Sequence, residues 1–80
     1  MYTLYYKPTC PFCQKVTSFA EGEGIPLELI DVTEPGKVEE LIQIGGKKMV
    51  PFLVDADNEV MMYESGDIIA YMEKNRDQSS

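Results

Sequence analysis

An almost wholly apolar run opens the chain. Met1–Tyr6 is aromatic and rich in β-formers, the pattern of a buried strand. Lys7-Pro8-Thr9 breaks it, because Pro8 has no N–H to give a ladder. The period then lengthens. Phe12, Val16, Phe19 and Ala20 recur at helical spacing, with Gln14, Lys15, Ser18 and Glu21 elsewhere, which predicts a helix over Pro11–Gly22 with one apolar face. Gly22 or Gly24 supplies a left-handed end. Pro26 leads into a second strand, Leu27–Val32, and strand–helix–strand implies a parallel pair with a right-handed crossover. After the turn Thr33–Gly36, a second helix over Lys37–Ile44 places Val38, Leu41 and Ile42 on one side, and Gly45-Gly46 stops it. Lys47 and Lys48 fall in a loop. Pro51–Asp55 and Glu59–Tyr63 read as strands joined by a hairpin at Asp57-Asn58, hence antiparallel. A last helix starts at Ser65, whose side chain is expected to cap it, with Asp67 in the first turn. Ile68, Ile69, Tyr71 and Met72 form its apolar face, and fraying is expected at Asn75. The order is βαβαββα, an α/β fold with a four-stranded mixed sheet and helices on both faces. One domain over residues 1–76 and a polar tail over 77–80 account for the chain.

Composition narrows the partners. The 80 residues carry a net charge of −7, which argues against nucleic acid. No apolar stretch is long enough to span a membrane and no signal peptide is evident, so a soluble, monomeric, cytoplasmic protein is expected. The charge is unevenly placed. Residues 1–20 hold Lys7 and Lys15 and no acid, and Leu41–Val54 is again acid-free with Lys47 and Lys48. If these two stretches meet, they make a positive patch on an acidic protein; chance clustering is the plainer explanation.

The chemistry concentrates at Cys10-Pro11-Phe12-Cys13, the only cysteines in the chain. Such spacing beside a βαβ pattern points to a reversible dithiol. With Cys10 at the N-cap and Pro11 at the first helical position, Cys13 lies one turn along, within disulfide reach. Closing so short a ring constrains the unfolded chain by only ~2 kcal/mol, which suits a bond that opens in service. Cys10 faces the free N–H groups of the first turn, which favour its thiolate, and Cys13 points back into the helix. Cys10 is therefore the expected nucleophile and Cys13 the resolving thiol. Dropping a thiol pKa from ~8.5 to ~5 raises its thiolate fraction about 30-fold at pH 7. A Brønsted slope near ~0.45 cancels most of that gain in attack but leaves a faster leaving group. A structural disulfide is the rival, though such bonds are rare in a reducing compartment. A metal site is the other rival. With no histidine and no second cysteine pair, no metal is expected, and a cluster could form only between two chains.

Cys-Pro-Phe-Cys at the first strand–helix junction, Lys7 three residues earlier, Val50-Pro51 and Glu64-Ser65 before the last helix together resemble the dithiol glutaredoxins of the thioredoxin-like fold. The resemblance covers about Tyr2 to Met72. It implies a glutathione-dependent thiol–disulfide oxidoreductase acting on protein disulfides and glutathionylated proteins, with glutathione as reducing co-substrate. It implies a cis Pro51 facing the sulfur and a peptide paired with the backbone of Val50. Ser65 and Glu64 would meet the γ-glutamyl group at a helix N-terminus. Lys7, with Lys47 or Lys48, would attract the glycyl carboxylate, and Phe12 would pack on the peptide. Each of these residues also has a plainer role as surface charge, strand start or helix cap. The sequence departs from the glutaredoxin pattern at Phe12, Val38 and Met49, and its Glu64-Ser65 pair is closer to the amino-terminal domain of glutathione transferases. Three alternatives stand beside the main reading. They are a glutathione-independent redoxin reduced by thioredoxin reductase, a detached transferase-like domain, and a dimeric iron–sulfur carrier, against which Pro11 weighs.

Overall fold

The computed structural model describes residues 2–78, with side chains through Asn75. Its elements are β1 (Tyr2–Tyr6), α1 (Pro11–Glu23), β2 (Leu27–Asp31), α2 (Lys37–Gly45), β3 (Phe52–Asp55), β4 (Val60–Met62) and α3 (Ser65–Gln78). The order read from hydropathy is the order observed. The sheet runs β2-β1-β3-β4, with β1 parallel to β2 and antiparallel to β3, and β3 antiparallel to β4.

Strand alternation sends β1 and β3 into two separate cores. Leu4 and Leu53 are opposite each other and face α1 and α3, where they are buried with Val16, Ala20, Ile68 and Met72. Tyr5 and Phe52 form the next pair and face the other way, where Leu41 of α2 and Val32 close over them. The Tyr5 hydroxyl donates to Glu40 Oε1 at 2.7 Å and ties α2 to the sheet. A second polar tie lies at the far end of the sheet. Asp55 is buried and accepts hydrogen bonds from the Tyr71 hydroxyl at 2.6 Å and from Asn58 Nδ2 at 2.8 Å.

Several boundaries differ from expectation for local reasons. Gly24, not Gly22, is the left-handed end of α1, at φ 68°. Phe12 leaves the apolar face of α1 and stands 59% exposed, while Cys13 takes the buried stripe with Val16 and Ala20. Ile42 is also exposed, since it lies about 100° around α2 from the buried Leu41. β3 begins after Pro51, which has no N–H to offer the ladder. β4 starts late because Glu59 closes the hairpin turn at φ 55°. At α3 the Ile68 N–H donates to the Glu64 carbonyl at 2.8 Å, so Glu64 is the N-cap and Ser65 the first helical residue. Ser65 therefore does not cap the helix; it presents the first free N–H of the turn. α3 also continues to Gln78, past the fraying expected at Asn75. Residues 79–80 of the expected tail lie outside the described residues.

Candidate functional site: a thiol pair beside a two-ended groove

The site begins where β1 ends. The Cys10 N–H donates to the Lys7 carbonyl at 3.0 Å, closing a turn that carries Pro8 and Thr9 over the sheet. Gln14 braces it by donating from Nε2 to the Pro8 carbonyl at 3.0 Å. The Cys10 carbonyl accepts the first helical bond of α1, from Gln14 at 3.1 Å, so Cys10 is the N-cap, in extended conformation, and Pro11 follows at the first position. Pro11 costs little there, because first-turn N–H groups have no helical partner.

Both thiols are free, and their surroundings differ sharply. Cys10 is half-buried and Cys13 is 1% exposed. Partial burial works against the Cys10 thiolate. The N–H of Cys13, the Cys13 thiol, the N–H of Phe12 and the charge of Lys7 outweigh it and hold Cys10 below the ordinary thiol value. Burial pushes Cys13 up to about 11; a backbone bond near Lys7 opposes this, and the neighbouring Cys10 sulfur adds to the rise. The pair thus has one ionisable, reachable sulfur and one protonated, enclosed one.

Two clefts share Met49 and Val50 as their common wall; Lys7 lines one and Phe12 the other, and neither cysteine is among their lining residues. One, of about 350 Å³, is bounded by Phe12, Pro51, Tyr63, Glu64, Ser65 and Gly66. The other, of about 340 Å³, has Lys7 and Lys48 at its rim and Val32, Val38 and Leu41 as its floor. The Val50–Pro51 peptide bond is cis, and Pro51 is buried. Of the residues singled out from sequence, Phe12, Val50, Pro51, Glu64 and Ser65 line one cleft, and Lys7 lines the other, which joins it at Met49 and Val50. The two acid-free stretches also meet, Lys7 from one and Lys48 from the other. Lys47 goes elsewhere: its ammonium lies over the Tyr63 ring, 5.8 Å from the centroid.

Tyr63 is the groove residue the sequence reading missed. Its hydroxyl accepts from the Lys47 N–H at 3.1 Å and donates to the Lys47 carbonyl at 3.3 Å, fastening the loop before Val50 to the corner that bears Glu64 and Ser65. Its ring stacks on Phe52 at 4.5 Å. Gly45 makes this possible, since a Cβ there would meet the Tyr63 hydroxyl and come within 2.9 Å of Phe52 Cζ. The available signal was an aromatic ending a strand next to Glu64-Ser65, opposite a Gly-Gly pair with one glycine more than a helix stop needs. Among the described residues, no group of three or more His, Cys, Asp or Glu side chains is placed to hold a metal ion. No helix among them is long and apolar enough to cross a membrane.

A βαβαββα sheet with a cysteine pair at the first strand–helix junction defines the thioredoxin-like class. Within it, the glutathione S-transferase N-terminal domain profile matches residues 4–80, and the chain belongs to that family. Mouse prostaglandin E synthase 2 is 33% identical over 70 residues, covering 85% of this chain and 18% of that protein. Apo human glutathione S-transferase T1-1 superposes with a TM-score of 0.80 at 29% identity, over 94% of this chain and 32% of that one. Glutaredoxin 2 from Salmonella typhimurium, solved in complex with glutathione, gives a TM-score of 0.77 at 32% identity, over 90% of this chain and 32% of that one. The chain therefore spans about a third of these solved structures and under a fifth of the synthase.

Proposed function

We propose that this chain is a glutathione-dependent thiol–disulfide oxidoreductase of the glutaredoxin kind, working through Cys10 and Cys13. The observation that carries the proposal is the placement of the two thiols, Cys10 half-buried at the N-cap of α1 before the free N–H groups of the first turn and Cys13 buried one turn along. Charge gives the groove a direction. The γ-glutamyl end of glutathione bears an ammonium and a carboxylate, which suit the Glu64 carboxylate and the free N–H groups at the start of α3. The other end bears only a carboxylate, which suits Lys7 and Lys48. Between them the cysteinyl unit lies along Val50 with its sulfur toward Cys10.

In the proposed reaction the Cys10 thiolate attacks the glutathione sulfur of a mixed disulfide. The substrate thiolate leaves and takes a proton, and Cys10 is left joined to glutathione. A second glutathione thiolate then displaces Cys10, giving glutathione disulfide and restoring the thiolate. On a protein disulfide, the Cys10 thiolate displaces one protein sulfur, which takes a proton, and is left joined to the other; Cys13 then attacks Cys10, its proton passing to the departing protein sulfur, and the Cys10–Cys13 bond is reopened by two glutathiones that leave as glutathione disulfide. Partners are then glutathione and disulfide-containing or glutathionylated proteins, met by a monomer in the reducing cytoplasm. The glutathione complex of the Salmonella glutaredoxin supports this reading.

The test is turnover of a glutathione mixed disulfide with glutathione, glutathione reductase and NADPH. Cys10→Ser is expected to abolish it and Cys13→Ser to retain it. Equal behaviour of the two variants would overturn the role assignment, and turnover with thioredoxin reductase alone would select the glutathione-independent redoxin. The family match favours one further reading, in which the groove presents glutathione for conjugation. Displacement of chloride from chlorodinitrobenzene by glutathione, undiminished in Cys10→Ser, would select it.

A further inference from the structure

The cleft on the Lys7 side is lined mostly by apolar side chains, Val32, Val38, Leu41, Met49 and Val50. Val32 and Leu41 lie beneath it in the core, at 8% and 1% exposure, so the apolar surface it offers is that of Val38, Val50 and Met49, the last 48% exposed. Its one hydroxyl, that of Thr33, is already committed, donating to Asp31 Oδ1 at 2.6 Å. Among the described residues at its edge, the two charged groups are both cations, Lys7 and Lys48. Such a cleft matches a residue with an aliphatic side chain and a free carboxylate. A glycyl residue satisfies the lysines and leaves Val38 and Met49 uncovered.

We propose that this cleft makes the site selective for γ-glutamyl-cysteinyl peptides whose carboxyl-terminal residue after the cysteine is aliphatic. The proposal rests on the oxidoreductase reading and names the substrate class of that site. The aliphatic side chain lies on Val38 and Met49 while its carboxylate stays with Lys7 and Lys48. The reacting sulfur and the γ-glutamyl end are unchanged. Aliphatic burial in a preformed pocket separates substrates differing by one methylene about 10- to 200-fold, so a leucyl side chain on a partly open floor is expected to gain about tenfold.

The experiment is a competition. Equal amounts of the 2-mercaptoethanol mixed disulfides of γ-Glu-Cys-Gly and γ-Glu-Cys-Leu are offered to reduced Cys13→Ser protein. The adduct on Cys10 is read by mass. Cys10 thiolate attacks the peptide sulfur, mercaptoethanol leaves with a proton, and the two adducts differ in mass. Free cysteamine offered the same mixture gives the intrinsic ratio. About tenfold excess of the leucyl adduct over that ratio is expected, falling toward it in Val38→Thr, with unchanged melting temperature showing that the variant is folded. Lys7→Gln is expected to lower both adducts and keep their ratio. A ratio at or below the intrinsic one, or a ratio that Val38→Thr leaves untouched, overturns the proposal. No peptide adduct of either kind overturns the oxidoreductase reading itself.

Discussion

Alkylation of the reduced protein separates the two thiols, and the size of the separation follows from their surroundings. Cys10 lies below the ordinary thiol value and Cys13 at about 11, a separation of more than about two pH units. At pH 7 the thiolate fractions then differ by more than about 100-fold. A Brønsted slope near ~0.45 returns about 8-fold to the more basic Cys13. Cys10 is therefore expected to react with iodoacetamide at least about tenfold faster, and the 1% exposure of Cys13 widens the margin. The assay follows the two labelled positions by mass from pH 5 to pH 10. The Cys10 rate should level off at a lower pH than that of a free cysteine, while the Cys13 rate keeps rising to the end of the range. In Cys10→Ser the neighbouring sulfur no longer raises Cys13, but burial, the larger cause, remains, so Cys13 stays slow. Linkage gives a second readout. Folding lowers the Cys10 pKa, so its contribution to stability is complete above the pKa of an unfolded thiol and is lost as pH falls through the folded value. Cys13 has the opposite sign and subtracts stability as pH rises past the value of an unfolded thiol. Equal labelling rates, or a Cys10 midpoint at that of free cysteine, would refute the account.

Three further perturbations probe the surrounding structure. Lys7→Gln should shift the Cys10 labelling midpoint upward and weaken glutathione binding, and the wild-type protein should approach the variant as salt rises. Gly45→Ala should lower stability by about 1–3 kcal/mol through overpacking against Tyr63 and Phe52, seen in urea denaturation, despite the better helix propensity of alanine. Tyr71→Phe removes the 2.6 Å bond to buried Asp55 and should cost about 1.5–3 kcal/mol at neutral pH. Burial opposes the Asp55 charge, but its bonds to Asn58 and Tyr71 hold its pKa below the ordinary carboxylate value. The stability this gives is present above the unfolded carboxylate pKa and vanishes as pH falls through the folded one, so the wild-type advantage should shrink in acid.

The element order, the parallel and antiparallel pairings and the cysteine geometry were legible in the sequence because each rests on local signals. These are periodicity, turn residues and a proline at the first helical position. The groove was legible only in parts. Phe12 has the spacing of a core residue, and only the end of the sheet, which no local pattern encodes, decides that it projects into the site. Ser65 has the chemistry of a cap, yet one hydrogen bond from Ile68 to Glu64 moves it inside the helix. Tyr63, Gly45 and Lys47 act on one another across the gap between α2 and the end of β4. Neither residue type nor spacing announces a contact of that range.

The sheet separates what the sulfur does from what it accepts. Cys10 and the start of α3 are anchored by the core built on Leu4 and Leu53, whereas the aliphatic cleft floor belongs with the core built on Tyr5 and Phe52. Under the selectivity proposed above, a change at the half-buried Val38 would alter which thiols are accepted while leaving the packing beneath Cys10 untouched.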